Sequence, residues 1–104
     1  MVNRDTTFLG RVTGRSLEDI QVYEGDIMVI DKSLKPQNRD LVVAVINGEF
    51  TAKFLHIDGK QILLRPASKR FNPIKVAEFD DFTIWGVVTR IIQDVKGRWS
   101  TSNS

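Results

Sequence analysis

The sequence predicts a compact, mostly antiparallel β-sheet or barrel, and two observations lead to this fold class. Short apolar runs rich in β-branched residues recur along the chain, and glycine, proline, asparagine or aspartate separates them. Helical periodicity is scarce, with room for little more than one turn. About seven short strands with frequent turns between them are typical of a packed antiparallel fold.

The predicted strands are Thr7 to Thr13, Asp26 to Asp31, Leu41 to Ile46, Glu49 to Leu55, Gln61 to Leu64, Ile74 to Val76 and Phe82 to Ile92. Asn47-Gly48 predicts a tight hairpin, because a type I′ turn needs positive φ at both central positions. The continuously apolar run before it is typical of a strand that is covered on both faces. Ser16 is expected to cap one helical turn at residues 16–19, whose first turn contains acidic residues.

The totals indicate one domain over residues 1–104, with a core at about residues 6–95. Both ends are expected to fray, although Trp99 can anchor the tail. A net charge of +2 is too small to predict sequence-specific DNA binding. The chain lacks cysteine, a secretion leader and an apolar run long enough to span a bilayer, so we expect a cytoplasmic protein without a membrane segment.

Ser16 and Lys53 are the candidate chemical groups, as the two parts of a Ser-Lys hydrolytic dyad. A serine is a poor nucleophile until a base takes its proton, and a lysine is a base only when it is neutral. The chain has one histidine and no cysteine, which leaves few alternatives. Ser16 follows Gly14 at a predicted strand-to-helix junction, where free backbone N–H groups can form an oxyanion hole.

The hairpin register predicts an apolar setting for Lys53. With a two-residue loop at Asn47-Gly48, Lys53 pairs with Val42 and shares a face with hydroxyl-bearing Thr51 and with apolar neighbours. None of these residues is acidic, so burial is expected to lower the pKa of Lys53. Taken singly, Ser16 is more often a helix cap, and a strand lysine more often extends to solvent from an edge.

Other polar groups have plainer interpretations. His56 stands alone, so no metal site or cofactor is predicted. Asp80-Asp81 are interpreted as loop charges before the last strand. A basic patch is conceivable, but a solvated surface is the simpler interpretation of its members, Lys69, Arg70, Lys75, Arg90, Lys96 and Arg98. The long strand Phe82 to Ile92 is apolar enough to pair across a subunit boundary.

The sequence resembles the catalytic domain of LexA- and UmuD-type (S24) proteins in the order of its motifs. The matching segments are Val12-Thr13-Gly14-Arg15-Ser16-Leu17, Glu24-Gly25-Asp26 with the strand after it, Gly48-Glu49-Phe50-Thr51-Ala52-Lys53, Leu63-Leu64-Arg65-Pro66, Phe71-Asn72-Pro73-Ile74 and Trp85-Gly86-Val87-Val88. The resemblance covers roughly residues 8 to 95. It implies a β-rich, partly barrel-like, signal-peptidase-like fold and a catalytic dyad of Ser16 as nucleophile and Lys53 as general base. The backbone N–H groups of Ser16 and Leu17 are then the expected oxyanion donors.

The resemblance also implies a biological setting. Family members cleave their own N-terminal arm or linker when a RecA–single-strand DNA filament stimulates them. They also dimerise through their C-terminal parts, so the resemblance predicts a symmetric homodimer. Only 15 residues precede Ser16, without a helix-turn-helix domain or a Cys-Gly or Ala-Gly cleavage site. We therefore expect a UmuD′-like SOS mutagenesis protein, the partner of a UmuC-type translesion polymerase. The alternatives are a non-catalytic dimeric β-barrel binding module and the dimerisation and self-cleavage domain of a phage or LexA-type repressor.

Three positions depart from the family pattern. Leu17 replaces a methionine, which is a tolerable apolar change. Arg15 replaces a small polar residue, and a cation beside the dyad favours a neutral lysine. Ser68 stands where the family often has asparagine, so the local loop geometry is expected to differ.

Overall fold

The computed structural model describes residues 6–94 of the 104-residue chain. Its strands are β1 (Thr7–Arg11), β2 (Ile27–Asp31), β3 (Leu41–Ile46), β4 (Glu49–Asp58), β5 (Gln61–Arg65), β6 (Ile74–Val76) and β7 (Phe82–Ile92), with one 3₁₀ turn at Glu18–Ile20. The expected fraying of both ends and the anchoring role of Trp99 concern residues outside this range.

All seven strands join one antiparallel sheet in the order β1-β2-β7-β3-β4-β5-β6. The mostly β, antiparallel fold class is therefore confirmed. Within residues 6–94, the choice between a sheet and a barrel resolves to a sheet with β1 and β6 at its edges. β3, β6 and β7 have the predicted bounds, and β4 continues three residues beyond its predicted end at Leu55.

The last strand, β7, lies inside the sheet between β2 and β3. β3 pairs with residues 82–87 of β7, and β2 pairs with residues 87–92. Among the described strands, none pairs with residues 88–92 on the side toward β3. Pairing of this strand across a subunit boundary therefore stays a prediction.

Two irregularities in pairing lie along β7, opposite Val29/Ile30 of β2 and Val43/Ala44 of β3. Bulges of this kind bend a sheet and increase its twist. Gly86 lies at one of them, where an added Cβ would come within 2.5 Å of Ile30 Cγ2 and 3.3 Å of the Asp31 carbonyl oxygen. Only glycine permits this close approach between β7 and β2.

Two apolar clusters cover opposite faces of β3. Val43 packs with Val12, Leu17, Val22, Met28 and Ile30, whereas Val42 and Ala44 pack with Leu55, Leu64 and Val87. Because successive side chains of a strand alternate between faces, both faces of β3 are buried. The prediction from its continuous apolar run is confirmed.

Candidate active site

Ser16 lies in the connection between β1 and the 3₁₀ turn, and buried residues anchor this connection on both sides of it. Val12 is 5% exposed and its N–H donates to the Asp26 carbonyl at 2.8 Å. Leu17, 2% exposed, packs into the cluster around Val43. Gly14 has a φ of 77°, a value that glycine adopts readily and other residues rarely do. The serine is thus held on a tight turn between two fixed points.

Ser16 does not cap the 3₁₀ turn, so that prediction is wrong. The N-cap position is Leu17, with no side-chain capping bond, and the Glu18 N–H donates instead to the Arg15 carbonyl at 3.2 Å. The Ser16 hydroxyl therefore has no amide of this turn to satisfy. It points to the lysine of a different element.

Lys53 Nζ donates a hydrogen bond to Ser16 Oγ at 3.2 Å, although the two residues are 37 positions apart. A second bond from Lys53 Nζ to Thr51 Oγ1 is short, at 2.5 Å. The predicted hairpin register is confirmed, with Lys53 opposite Val42 and Thr51 opposite Ala44. Asn47 and Gly48 have φ values of 51° and 85°, as a type I′ turn requires. The β3–β4 hairpin therefore determines the face of the sheet on which the Lys53 side chain lies and its position along β4, and both bring Nζ to Ser16 Oγ.

Burial lowers the pKa of Lys53 from its ordinary value of 10.5, because desolvation disfavours the charged ammonium. Across residues 6–94 the single ion pair joins Arg70 and Glu18, so no carboxylate of that range neutralises the ammonium. Both polar contacts of Nζ are hydroxyl groups, which can accept from an ammonium or donate to a neutral amine. Burial thus makes the uncharged form of Lys53 more accessible than in an exposed lysine.

A cleft of about 150 Å³ opens at the two residues. Polar groups of the lining belong to Ser16, Thr51 and Lys53, and also to Arg11 and Thr13. The apolar lining residues are Val12, Leu17, Met28, Val43, Phe50 and Ala52. A site with a few convergent polar groups on apolar walls is suited to a specific ligand. Phe50, 66% exposed, stands at this cleft with its ring 6.1 Å from that of Trp85.

One side of β4 is open beside the cleft. Residues 49–53 pair with β3, but β5 pairs with β4 only from Phe54 onward. Among the described strands, none pairs with the outer side of residues 49–53. Such a side offers backbone donors and acceptors to an extended peptide.

The backbone around Ser16 is bound by the loop that follows β5. The Ala67 N–H donates to the Ser16 carbonyl at 2.6 Å, and the Asp19 N–H donates to the Ala67 carbonyl at 2.7 Å. In the hydrogen bonds of residues 6–94, neither the Ser16 nor the Leu17 N–H is a donor. Both residues line the cleft, and neither amide is occupied by another group of residues 6–94.

Two polar clusters escaped the sequence-based predictions. Asp80, interpreted as a loop charge, accepts a bond from Asn47 Nδ2 at 2.9 Å and holds the β3–β4 hairpin to the loop before β7. Ser68, noted only as a departure from the family, donates to Glu18 Oε2. For the Asn47–Asp80 and Ser68–Glu18 bonds, the sequence offers only a polar residue next to a turn as an indication. No group of metal-binding side chains that could hold an ion occurs within residues 6–94.

Comparison with known proteins places these features in a family. The family model described as Peptidase S24-like matches residues 1–89. The chain is 39% identical over 90 residues to a LexA repressor of Desulfatibacillum aliphaticivorans, covering 85% of this chain and 44% of that protein. It is 42% identical over 89 residues to a LexA repressor of Acidithiobacillus ferrooxidans, covering 83% and 43%. Protein MucA of Salmonella typhimurium is 40% identical over 85 residues, covering 80% and 57%.

The chain therefore belongs to the peptidase S24-like family, whose members are self-cleaving serine peptidases. The chain spans about half the length of the relatives it matches. The matched part is 44% of the Desulfatibacillum LexA repressor and 57% of MucA. No helix within residues 6–94 has the length and apolar character needed to cross a membrane.

Proposed function

We propose that Ser16 and Lys53 form a serine peptidase dyad in this chain. Ser16 is the nucleophile, Lys53 is the general base, and the backbone N–H groups of Ser16 and Leu17 are the oxyanion donors. The observation that carries the proposal is the 3.2 Å contact between Lys53 Nζ and Ser16 Oγ. The lowered pKa of Lys53 supports it, since a neutral amine at this distance can accept the hydroxyl proton.

The proposed chemistry proceeds in two steps. Neutral Lys53 takes the Ser16 proton as Oγ attacks a peptide carbonyl carbon, and the two amides stabilise the negative oxygen that develops. Lys53 then gives this proton to the leaving amine as the C–N bond breaks, which leaves an ester on Ser16. A water molecule, deprotonated by Lys53, hydrolyses the ester and returns the proton to Ser16.

The proposed substrate is an extended peptide segment beside β4. Its backbone can pair with the open side of residues 49–53, which places the scissile carbonyl next to Ser16. The segment belongs to a longer form of the same chain in self-cleavage, or to a second chain when cleavage occurs in trans.

For the biological role, we propose a UmuD′-like, single-domain protein of SOS mutagenesis in the cytoplasm. In this role it forms a homodimer and joins a UmuC-type translesion polymerase, and a RecA–single-strand DNA filament stimulates cleavage of a longer form. The similarity to MucA supports this role. A second candidate, the self-cleavage and dimerisation domain of a repressor, is supported by the 39–42% identity to LexA repressors.

A fusion experiment tests the proposed chemistry. The upstream segment of the MucA relative is joined to the N-terminus of this chain, and cleavage is followed by mass spectrometry over rising pH, with and without RecA filaments. Cleavage is expected to increase with pH as Lys53 loses its proton. Ser16→Ala and Lys53→Ala are each expected to slow it by about 10³-fold or more. Equal cleavage in Ser16→Ala would refute the dyad.

A further inference from the structure

Ser68 is a buried polar residue outside the proposed dyad. It is 6% exposed and lies in the loop between β5 and β6. Its hydroxyl donates to Glu18 Oε2 at 2.5 Å and accepts the Arg70 N–H at 3.2 Å. Glu18 also pairs with Arg70 Nε at 3.0 Å, and the Glu18 side chain is only 22% exposed. A hydrogen bond to a charged group that is shielded from water is stronger than an exposed one.

This side-chain bond joins the same two segments as the backbone bonds around Ser16. Ala67, which precedes Ser68, bonds the Ser16 carbonyl at 2.6 Å and accepts the Asp19 N–H at 2.7 Å. Asp19 in turn follows Glu18. Glu18 thus lies between the two residues that bond to Ala67, and Ser68 lies next to Ala67. The side-chain bond therefore reinforces the two backbone bonds and holds Ala67 against the turn that bears Ser16.

The planar peptide unit transmits this constraint to the proposed oxyanion donor. The Ser16 carbonyl and the Leu17 N–H belong to one trans peptide group, so they point in opposite directions. The Ala67 N–H fixes the direction of the carbonyl and thereby fixes the direction of the Leu17 N–H. A rotation of this peptide would break the 2.6 Å bond and change the direction of the Leu17 N–H.

We propose that Glu18 and Ser68 are positioning residues for the nucleophile. Through Ala67 they hold the Ser16–Leu17 peptide in the orientation that aims the Leu17 N–H and the Ser16 side chain into the cleft. This inference rests on the proposed dyad. It differs from a merely structural role because it predicts a change in reactivity for each folded molecule.

A fluorophosphonate probe tests the inference on the full 104-residue chain. In this reaction Ser16 Oγ forms a bond to phosphorus, the P–F bond breaks, fluoride leaves, and the hydroxyl proton passes to Lys53. The rate of Ser16 labelling is measured over a range of pH and divided by the folded fraction from circular dichroism. The labelling rate that is reached at high pH, the plateau rate, reports how well Ser16 and the oxyanion donors are positioned. The pH at which half of this rate is reached, the midpoint, reports the titration of Lys53.

Ser68→Ala is expected to lower the plateau rate about tenfold, since small displacements at a reacting centre reduce rates strongly, and to leave the midpoint unchanged. Glu18→Ala is expected to give a similar loss and serves as the second variant if Ser68→Ala folds poorly. Ser68→Thr keeps the hydroxyl and is expected to restore most of the rate. The matched control is Ser33→Ala, which removes another serine–carboxylate bond, from Ser33 Oγ to Asp31 Oδ1 at 2.6 Å, away from the cleft.

The outcomes separate this inference from the proposed function. If the wild-type chain labels at Ser16, and both Ser68→Ala and Glu18→Ala label as fast per folded molecule, the positioning role is refuted and the dyad stands. A shifted midpoint with an unchanged plateau also refutes the positioning role, because the pair would then act through Lys53. If Ser16→Ala labels as fast as wild type, the dyad itself fails.

Discussion

Two polar clusters in this molecule join distant parts of the chain and lower a pKa, yet their effects are opposite. Lys53 and Ser16 are 37 positions apart, and Asn47 and Asp80 are 33 apart. At Lys53 the pKa falls because burial disfavours the charged form. At Asp80 the pKa falls chiefly because the Asn47 side chain, and then the Ala77 N–H, donate hydrogen bonds that favour the charged form.

The comparison distinguishes a reactive cluster from a stabilising one. Folding makes the Lys53 ammonium less favourable, so this cluster destabilises the protein while it favours the neutral amine that the proposed base requires. Folding makes the Asp80 carboxylate more favourable, so that cluster stabilises the hairpin and has no group poised to react. Both clusters contain polar contacts. They differ in whether folding makes the charged form of the titrating group less favourable, as at Lys53, or more favourable, as at Asp80.

The largest expected effect is that of Lys53→Met. This substitution removes the proposed base and, with it, the unfavourable free energy of burying its ammonium. Labelling of Ser16 by a fluorophosphonate is expected to fall by about 10³-fold or more. In the wild-type chain the unfolded state binds more protons between the lowered pKa of Lys53 and 10.5, so stability rises with pH in that window. The variant is expected to be more stable at neutral pH and to lose this rise. Denaturant unfolding at neutral pH and at a pH near 10.5 measures the stability at neutral pH and its rise with pH.

The control for this variant is Lys60→Met, at an exposed lysine of the β4–β5 turn. It is expected to keep both the labelling rate and the rise in stability with pH. If Lys53→Met keeps the same rise as wild type, burial does not set the protonation of this lysine.

Leu17→Ala tests the anchoring of the reactive cluster by the core. Leu17 is 2% exposed, so the truncation leaves a cavity and is expected to cost about 2–5 kcal/mol in the free energy of unfolding. The matched control is Leu34→Ala at a leucine that is 45% exposed, with an expected change within about 0.5 kcal/mol. Chemical denaturation measures both. Equal losses would mean that the turn bearing Ser16 is not held by the core.

The smallest expected effect is that of Asn47→Gly, which keeps the positive φ of the turn and removes the side-chain bonds to Asp80 and Asp81. The pKa of Asp80 is then expected to rise toward its ordinary value. A lowered carboxyl pKa contributes stability above the unfolded value of 3.8 and loses it as pH falls through the folded value. The variant is therefore expected to be less stable at neutral pH and to differ less from wild type in strong acid.

Acid titration of unfolding measures this difference, and labelling of Ser16 is expected to stay within about twofold of wild type, as for a surface change away from the site. A deficit of the same size in strong acid as at neutral pH would contradict the account of Asp80.

Local patterns in the sequence predicted much of the fold and the face on which Lys53 lies, whereas the pairing of Lys53 with Ser16 rested on the resemblance to a known family. Asn47-Gly48 determines the turn, the turn determines the register, and the register determines the face of Lys53. These steps depend on neighbouring residues and on period-two alternation, which a sequence displays directly.

The errors involve contacts between segments that are far apart in the chain. The apolar run of β7 does not reveal that its first half pairs with β3 and its second half with β2, which only the sheet pairing shows. The bond of Ser68 to Glu18 spans 50 positions and depends on how the loop after β5 folds back. The prediction that Ser16 caps a helical turn follows a local rule and is wrong, whereas the dyad hypothesis expects the observed contact with Lys53 of β4.

A direct titration of Lys53 tests the central claim, that burial prepares this lysine as the base for Ser16. The chain is produced with ¹³C-labelled lysine, and the chemical shift of the Lys53 Cε is followed by NMR over pH, with Lys53→Met to assign the signal. The account predicts a pKa for Lys53 below the ordinary value of 10.5. A pKa at or above that value would mean that Lys53 stays charged at neutral pH and would contradict its role as the base.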